Sequence, residues 1–157
     1  MKMSTVDYTA VAAGLSKAIP FNVHLGVETT SVAADSGAVR LPDDEKLRNH
    51  VGSQHAGALF AAGEAASGAA FVGAFLDVMG EITPLAESAQ ISYRKLAKGE
   101  ITAVASFGED AEALKAKLRE DGRIRFPVQV QMTDAKGNVV AEMTVDWYVR
   151  HKDAAAG

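Results

Sequence analysis

The pattern of apolar positions predicts a helix and a pair of strands in the first quarter of the chain. An amphipathic helix is predicted over residues 5–19, ending at Pro20. Its apolar positions recur at helical spacing: Tyr8, Val11, Leu15 and Ile19. Residues 23–41 alternate loosely about a turn at 35–37, which is typical of two strands joined in a hairpin.

A long central helix is predicted over residues 56–79, up to Gly80. Between positions 56 and 76 every residue except Glu64 is apolar, glycine or serine. Such small side chains let other backbone approach closely, as when a curved sheet wraps around a helix. Gly63 costs roughly 1 kcal/mol relative to alanine in a helix interior, so we expect a close contact there in compensation. The stretch is long enough to cross a bilayer, but the acidic residue within it favours a helix buried inside a soluble protein.

After this helix the apolar period changes from 3.6 to 2, which indicates four more strands. A charged segment at 110–120 predicts a short helical insert between the fourth and fifth strands. Pro127 lacks a ladder donor and predicts an edge position or a bulge, and the tail 151–157 is expected to be frayed. The alternating segments are residues 89–93, 101–107, 124–132 and 139–147. Together these elements predict one α+β domain over residues 1–157 with a six-stranded antiparallel sheet.

Composition narrows the class of protein. Lys and Arg number 16 against 20 Asp and Glu, so the net charge is −4, which argues against a nucleic-acid partner. The absence of cysteine excludes disulfides, thiolate zinc sites and a cysteine nucleophile. His50 and His55 have no clear third ligand in their loop, so we predict no metal. The N-terminus has no long apolar signal region, and a cytoplasmic location without membrane attachment is expected.

Glu64 is the residue most in need of an explanation. An isolated carboxylate in apolar surroundings must be paired, neutralised or used, because burying a lone charge is expensive. A polar loop beginning at Asn49 leads directly into the helix that carries Glu64. This arrangement favours catalysis or ligand binding over pairing with a buried cation or a backbone donor.

The loop and the start of the central helix resemble the PaaI-like acyl-CoA thioesterase family. The family signature is matched at six positions: Asn49, Gly52, His55, Gly57, Phe60 and Glu64. The element order, over about residues 20–150, resembles the hotdog fold, in which an antiparallel sheet wraps a long helix. Two positions depart from the signature: Ala56 replaces its first glycine, and the acid is glutamate where aspartate is commoner. The sequence is also similar to an uncharacterised branch of that superfamily carrying His-Ala-Gly-Ala.

The resemblance implies thioester hydrolysis, and helix geometry gives it a physical basis. Free N–H groups and the positive dipole end of a helix stabilise developing negative charge, so the N–H groups of Ala56 and Gly57 are assigned to the thioester oxygen. Glu64 would act as general base or as nucleophile, with its pKa raised by apolar flanks. Asn49 and His55 would shape the loop, orient water or polarise the carbonyl; alternatively, Asn49 is a turn former and His55 a helix cap.

Substrate-binding residues are predicted on the helix and on the strand that follows it. Phe60 belongs to the signature, and Glu87 and Ser88 would line the same pocket in the family arrangement. Arg94 and Lys95 are candidates for coenzyme A phosphates, together with Lys98, Arg123 and Arg125; alternatively, these are exposed strand and turn charges. No separate cofactor is expected, since coenzyme A is part of the substrate, and an acyl carrier protein is an alternative carrier.

A distance argument predicts a homodimer. Residues 56 and 64 are eight apart, about 12 Å along a helix that rises about 1.5 Å per residue. One carbonyl cannot reach both, so the two groups must come from different chains, in a dimer or a dimer of dimers. The alternative function is a catalytically silent hotdog protein that binds acyl-CoA or a fatty acyl group. A hotdog dehydratase is disfavoured because residues 49–64 lack its Pro-rich His-to-Glu arrangement.

Overall fold

A computed structural model describes residues 5–154 and confirms the predicted α+β architecture. The helices are α1 (Tyr8–Ala18), α2 (Pro20–Leu25), α3 (Ala56–Phe75) and α4 (Ala111–Asp121), with 3-10 turns at Glu45–Leu47 and Leu76–Glu81. The strands are β1 (Glu28–Val32), β2 (Ser36–Leu41), β3 (Ile82–Tyr93), β4 (Ile101–Phe107), β5 (Arg123–Asp134) and β6 (Val139–His151). They form one antiparallel sheet in the order β1-β2-β4-β5-β6-β3, which wraps around α3.

The region after α1 differs from the prediction. Pro20 does end α1, but it also occupies the first position of a second short helix, α2, where its missing N–H is not needed. The strand predicted to begin at residue 23 therefore begins at Glu28. Gly26 makes this possible by closing α2 in the left-handed region, at φ 74°.

Close contacts with the sheet and its β1–β2 turn explain two of the glycines of α3, Gly63 and Gly73. A Cβ at Gly63 would lie 2.5 Å from Met143 Sδ and 2.6 Å from Met132 Cε. A Cβ at Gly73 would overlap the carbonyl oxygen of Ala33, in the turn between β1 and β2. The close contact expected at Gly63 is therefore confirmed, and small residues let the sheet close around the helix.

The long central helix is confirmed and deeply buried, but its last turns are not α-helical. Its α-helical part ends at Phe75 and continues to Glu81 as a 3-10 turn. Residues 56–81 are long and apolar enough to cross a membrane, yet 67% of the most apolar window is buried inside the fold. The rings of Phe71, Phe75 and Trp147 stack beneath the sheet, with centroids 4.6 and 4.9 Å from that of Phe71.

The prediction for the strand after the central helix needs correction at its start. β3 begins at Ile82 rather than near residue 89, because a bulge at Glu87 breaks its alternation. Pro127 occupies an edge position locally, as predicted, although β5 is an interior strand of the sheet. β4 pairs with β5 only from Val128 onward, so Pro127 has a strand neighbour on one side only.

The predicted fraying of the tail is wrong for residues 151–154. The backbone N–H of His151 donates to the Gly122 carbonyl at 2.8 Å, and that of Lys152 donates to the Glu81 carbonyl at 2.9 Å. These bonds fasten the end of β6 to two neighbouring segments. Residues 155–157 lie outside the described part of the chain.

Candidate active site

Glu64 lies midway along α3 and lines a small apolar cavity. The cavity has a volume of about 150 Å³ and lies where α1, α2 and the sheet meet the central helix. Apolar walls come from α1 and the residue after it, from α3 and from β6: Leu15, Ile19, Phe71, Val72 and Trp147. The Glu64 side chain is partly buried, and the small residues Ala65 and Gly68 line the same cavity beside it.

The carboxylate of Glu64 has no cation to neutralise it within residues 5–154. No Lys, Arg or His forms an ion pair with it there, and no described group donates a hydrogen bond to its side chain. Burial therefore raises the pKa of Glu64 above its ordinary value, since desolvation disfavours the charged form. A carboxylate with a raised pKa is a better proton acceptor near neutral pH.

The loop before α3 is held by its own side chains. Asn49 Oδ1 accepts hydrogen bonds from the N–H groups of Val51 and Ser53, each at 3.0 Å. Gln54 Nε2 donates to the carbonyls of Pro42 and Gly99, each at 2.9 Å, and fastens the loop to the body of the fold. Asn49 therefore has the geometry of a turn former, which is the alternative that the sequence left open.

The first turn of α3 offers one free N–H among the two predicted oxyanion donors. His55 Nδ1 accepts from the Gly57 N–H at 2.8 Å, so His55 caps the helix. The Ala56 N–H has no partner within the described residues. Tyr93 Oη donates to the Ala56 carbonyl at 3.0 Å. Sequence reasoning misses Tyr93; its place at the end of the strand that follows the helix is the only signal of this contact.

The predicted substrate-binding residues lie away from the Glu64 cavity, on α3 and along or beside β3. Phe60 is 38% exposed, and Lys95 is exposed without an ion pair among residues 5–154. The other three are engaged. Glu87 accepts hydrogen bonds from Arg125 at 2.9–3.1 Å, which lower its pKa; Ser88 donates to Asp146 at 2.9 Å; and Arg94 pairs with Glu142 at 3.0 Å.

The structure thus divides the predicted residues between two places. Asn49, His55, Ala56 and Gly57 meet at the start of α3, whereas Glu64 lies with the cavity about 12 Å further along the helix axis. Sequence reasoning missed the cavity walls contributed by α1 and α2. The amphipathic pattern of α1 was visible, but nothing in it indicated which partner the apolar side would cover.

Comparison with known proteins identifies the family and the fold. The family described as "Domain of unknown function (DUF4442)" matches residues 5–149. No curated protein matches the sequence. A Pseudomonas aeruginosa protein of unknown function, described as a probable thioesterase, superposes with a TM-score of 0.82 at 27% identity, covering 91% of this chain and 95% of that one.

Two other solved structures share the architecture at lower identity. A Haemophilus influenzae thioesterase has a TM-score of 0.75 at 15% identity, covering 98% of this chain and 97% of its own. The Escherichia coli PaaI protein, from the phenylacetic acid degradation operon, has a TM-score of 0.65 at 16% identity, covering 89% and 91%. These likenesses confirm the hotdog fold; the particular branch stays a prediction.

Proposed function

We propose that this chain, which belongs to the DUF4442 family, hydrolyses acyl thioesters of the coenzyme A type in a site shared between two copies of the chain. The observation that carries the proposal is an unpaired, partly buried carboxylate, Glu64, beside an apolar cavity large enough for a small acyl group. The thioesterase descriptions of structures with this fold support it.

Glu64 supplies the proton acceptor of the reaction. As general base it takes a proton from water while the water oxygen bonds to the thioester carbonyl carbon. The resulting oxyanion collapses, the C–S bond breaks, and the leaving thiolate receives the proton from Glu64. As nucleophile it would instead form a mixed anhydride that water then hydrolyses. Label from H₂¹⁸O found in the Glu64 carboxylate after single turnovers would identify the second route.

The start of α3 supplies the oxyanion donors. The Ala56 N–H has no partner among the described residues, whereas the Gly57 N–H donates to His55 Nδ1. Two-donor stabilisation therefore requires the thioester oxygen to displace His55 from Gly57. Each donor aimed at the developing charge is worth about 100- to 1,000-fold in rate.

A homodimer brings the two halves of the site together. Glu64 and Ala56 of one chain are about 12 Å apart along α3, beyond the reach of a single carbonyl. β3 is an edge strand of twelve residues, and its free side can accept a second strand. Leu85 and Tyr93 on that strand are 54% and 48% exposed, which supports burial against a partner.

Coenzyme A phosphates need free cations near the mouth of such a site. Arg94 and Arg125 are already paired with carboxylates, so they are weaker candidates than the sequence implied. Lys95, Lys98 and Arg123 form no ion pair within residues 5–154 and are the better ones.

Thiol release from a panel of acyl-CoA substrates tests the activity. Glu64→Gln removes the proton acceptor with little change in shape, and we expect kcat/KM to fall at least about 100-fold. Glu120→Gln, an exposed acid on α4, is the matched control and should leave turnover unchanged. Equal turnover by the Glu64→Gln variant and the wild type would exclude Glu64 as base.

Mixed dimers test whether the site is shared. Ala56→Pro removes the free N–H at the first helical position, where proline is tolerated, and His55 before it is extended at ψ 141°. Refolding Ala56→Pro with Glu64→Gln in equal amounts gives mixed dimers with one intact composite site, so about a quarter of wild-type activity returns. Sites contained within single chains would give no recovery.

A silent acyl-binding protein is the second candidate. It is favoured by the hydrogen bonds that already occupy Asn49 Oδ1 and the Gly57 N–H. Saturable acyl-CoA binding with no thiol release by the wild type would select this alternative.

A further inference from the structure

Two polar residues besides Glu64 line the Glu64 cavity, Asn22 and Thr29, and hydrolysis uses neither; Asn22 is the more deeply buried of the two. Asn22 lies on α2, lines the cavity and is only 7% exposed. Its backbone carbonyl accepts from the Val27 N–H at 3.0 Å and from the Gly26 N–H, the bonds that close α2, and this fixes its position. Its side-chain amide forms no hydrogen bond to any residue within 5–154. Neither amide atom is fully enclosed by protein, so the amide is accessible to a group that enters the cavity, and a polar group this deeply buried is normally paired.

The size of the cavity limits which acyl groups could carry a hydrogen-bonding partner for Asn22. Its volume is about 150 Å³, and the surrounding side chains of Leu15, Phe71 and Trp147 are apolar. Dry cavities of about this size in other proteins hold one benzene molecule. An acyl group of four or so carbons fits this volume, whereas a long fatty chain does not.

A purely apolar acyl group would leave the Asn22 amide without the hydrogen bonds that water provides. Filling the cavity with methylene groups removes water from the amide without replacing its hydrogen bonds, and this penalty weakens binding. A substituent that offers both a donor and an acceptor, or an acceptor alone, can pair with the amide. Sites built to hydrogen-bond a substrate group reject analogues that lack it far more strongly than apolar pockets reject a missing methylene.

We propose that the Glu64 cavity selects short acyl groups that carry a hydroxyl or oxo substituent, and that Asn22 binds this substituent. This inference rests on the proposed thioester hydrolysis for the identity of the substrate. The preference in binding can be tested without any hydrolysis. Asn22 is here a specificity residue that touches the acyl group, while Glu64 acts on the thioester.

Paired substrates test the preference. Butyryl-CoA and 3-hydroxybutyryl-CoA differ by one hydroxyl, and we expect the wild type to favour the hydroxylated substrate by tenfold or more in kcat/KM. Asn22→Leu should lower turnover of 3-hydroxybutyryl-CoA and raise that of butyryl-CoA, so the ratio changes at least tenfold. Retained or improved butyryl-CoA turnover also shows that this variant folds. A wild-type preference for butyryl-CoA, or a ratio that Asn22→Leu leaves unchanged, overturns the inference.

Binding separates failure of this inference from failure of the proposed function. In the Glu64→Gln background, calorimetry with the two thioesters measures affinity without turnover. Tighter binding of the hydroxylated thioester, lost on adding Asn22→Leu, supports the role of Asn22 even if the wild type releases no thiol. If the Glu64→Gln protein binds the two thioesters equally tightly, both with and without Asn22→Leu, the inference is overturned even if hydrolysis is observed.

Discussion

Gly68 and Gly73 provide a matched test of how closely the sheet is packed against α3. Both lie in the interior of the helix, but a Cβ at Gly68 would meet nothing within 4 Å, whereas one at Gly73 would overlap the backbone carbonyl of Ala33. Glycine costs about 1 kcal/mol relative to alanine in a helix interior. Gly68→Ala should therefore raise the free energy of unfolding by about 1 kcal/mol.

Gly73→Ala gains the same propensity but must move the turn between β1 and β2. A backbone carbonyl cannot rotate away as a side chain can, and overpacking costs about 1–3 kcal/mol, occasionally more. The overlap at Ala33 is severe, so we place this variant near the upper end of that range and expect a net loss of about 2 kcal/mol.

Urea denaturation and thermal melts measure both changes. For a chain of this length, about 1 kcal/mol corresponds to roughly 2–4 °C in Tm. Gly68→Ala should melt higher than the wild type and Gly73→Ala lower, with a gap of about 6 °C or more between the two variants. Equal shifts in one direction would show that the β1–β2 turn does not press on the helix.

Two further predictions concern Glu64 and His55. Because burial raises the pKa of Glu64, the folded state binds more protons than the unfolded state between the ordinary and the raised value, so this residue lowers stability as pH rises through that window. Glu64→Gln should therefore gain stability over the wild type at pH 8 and lose that advantage toward pH 4 in urea titrations; a pH-independent difference would contradict the buried carboxylate. His55→Ala removes the cap on Gly57 and should lower the free energy of unfolding by about 1 kcal/mol, whereas His55→Asn, a good capping residue, should restore most of it; equal losses in both variants would rule out a capping role.

The sequence specified the parts of this molecule whose pattern is local and periodic. The run of small residues that ends near Gly80 predicts the central helix. Because Glu64 is the only charged residue between positions 56 and 76, its partial burial could also be predicted. The same reasoning missed α2, because Pro20 was interpreted only as a helix end although proline also begins helices. It missed the bulge at Glu87 because an extra residue in one strand cancels the alternation that identifies strands.

The site itself was only partly predictable, for a different physical reason. The motif locates Asn49 and His55 beside the helix start, but whether a side chain faces a substrate or its own backbone depends on a rotamer that no spacing encodes. In the structure both side chains bond to nearby N–H groups. Asn22 could not be found at all, since its importance comes from a cavity formed by segments distant in sequence.

The small residues of α3 let the sheet close around the helix and also leave space for a substrate. At Gly68 helix stability and cavity volume are opposed, and a substitution there can measure this. Gly68 lines the Glu64 cavity, and a methyl group there meets no protein atom within 4 Å because the cavity is what it faces. The substitution that should stabilise the helix therefore reduces a volume of about 150 Å³. We expect Gly68→Ala to raise Tm while lowering kcat/KM for four-carbon thioesters more than for acetyl-CoA, the trade-off that arises when a site keeps a locally unfavourable residue. If Gly68→Ala is more stable and equally active on both chain lengths, the acyl group does not enter this cavity, and the place of catalysis must be sought along β3 instead.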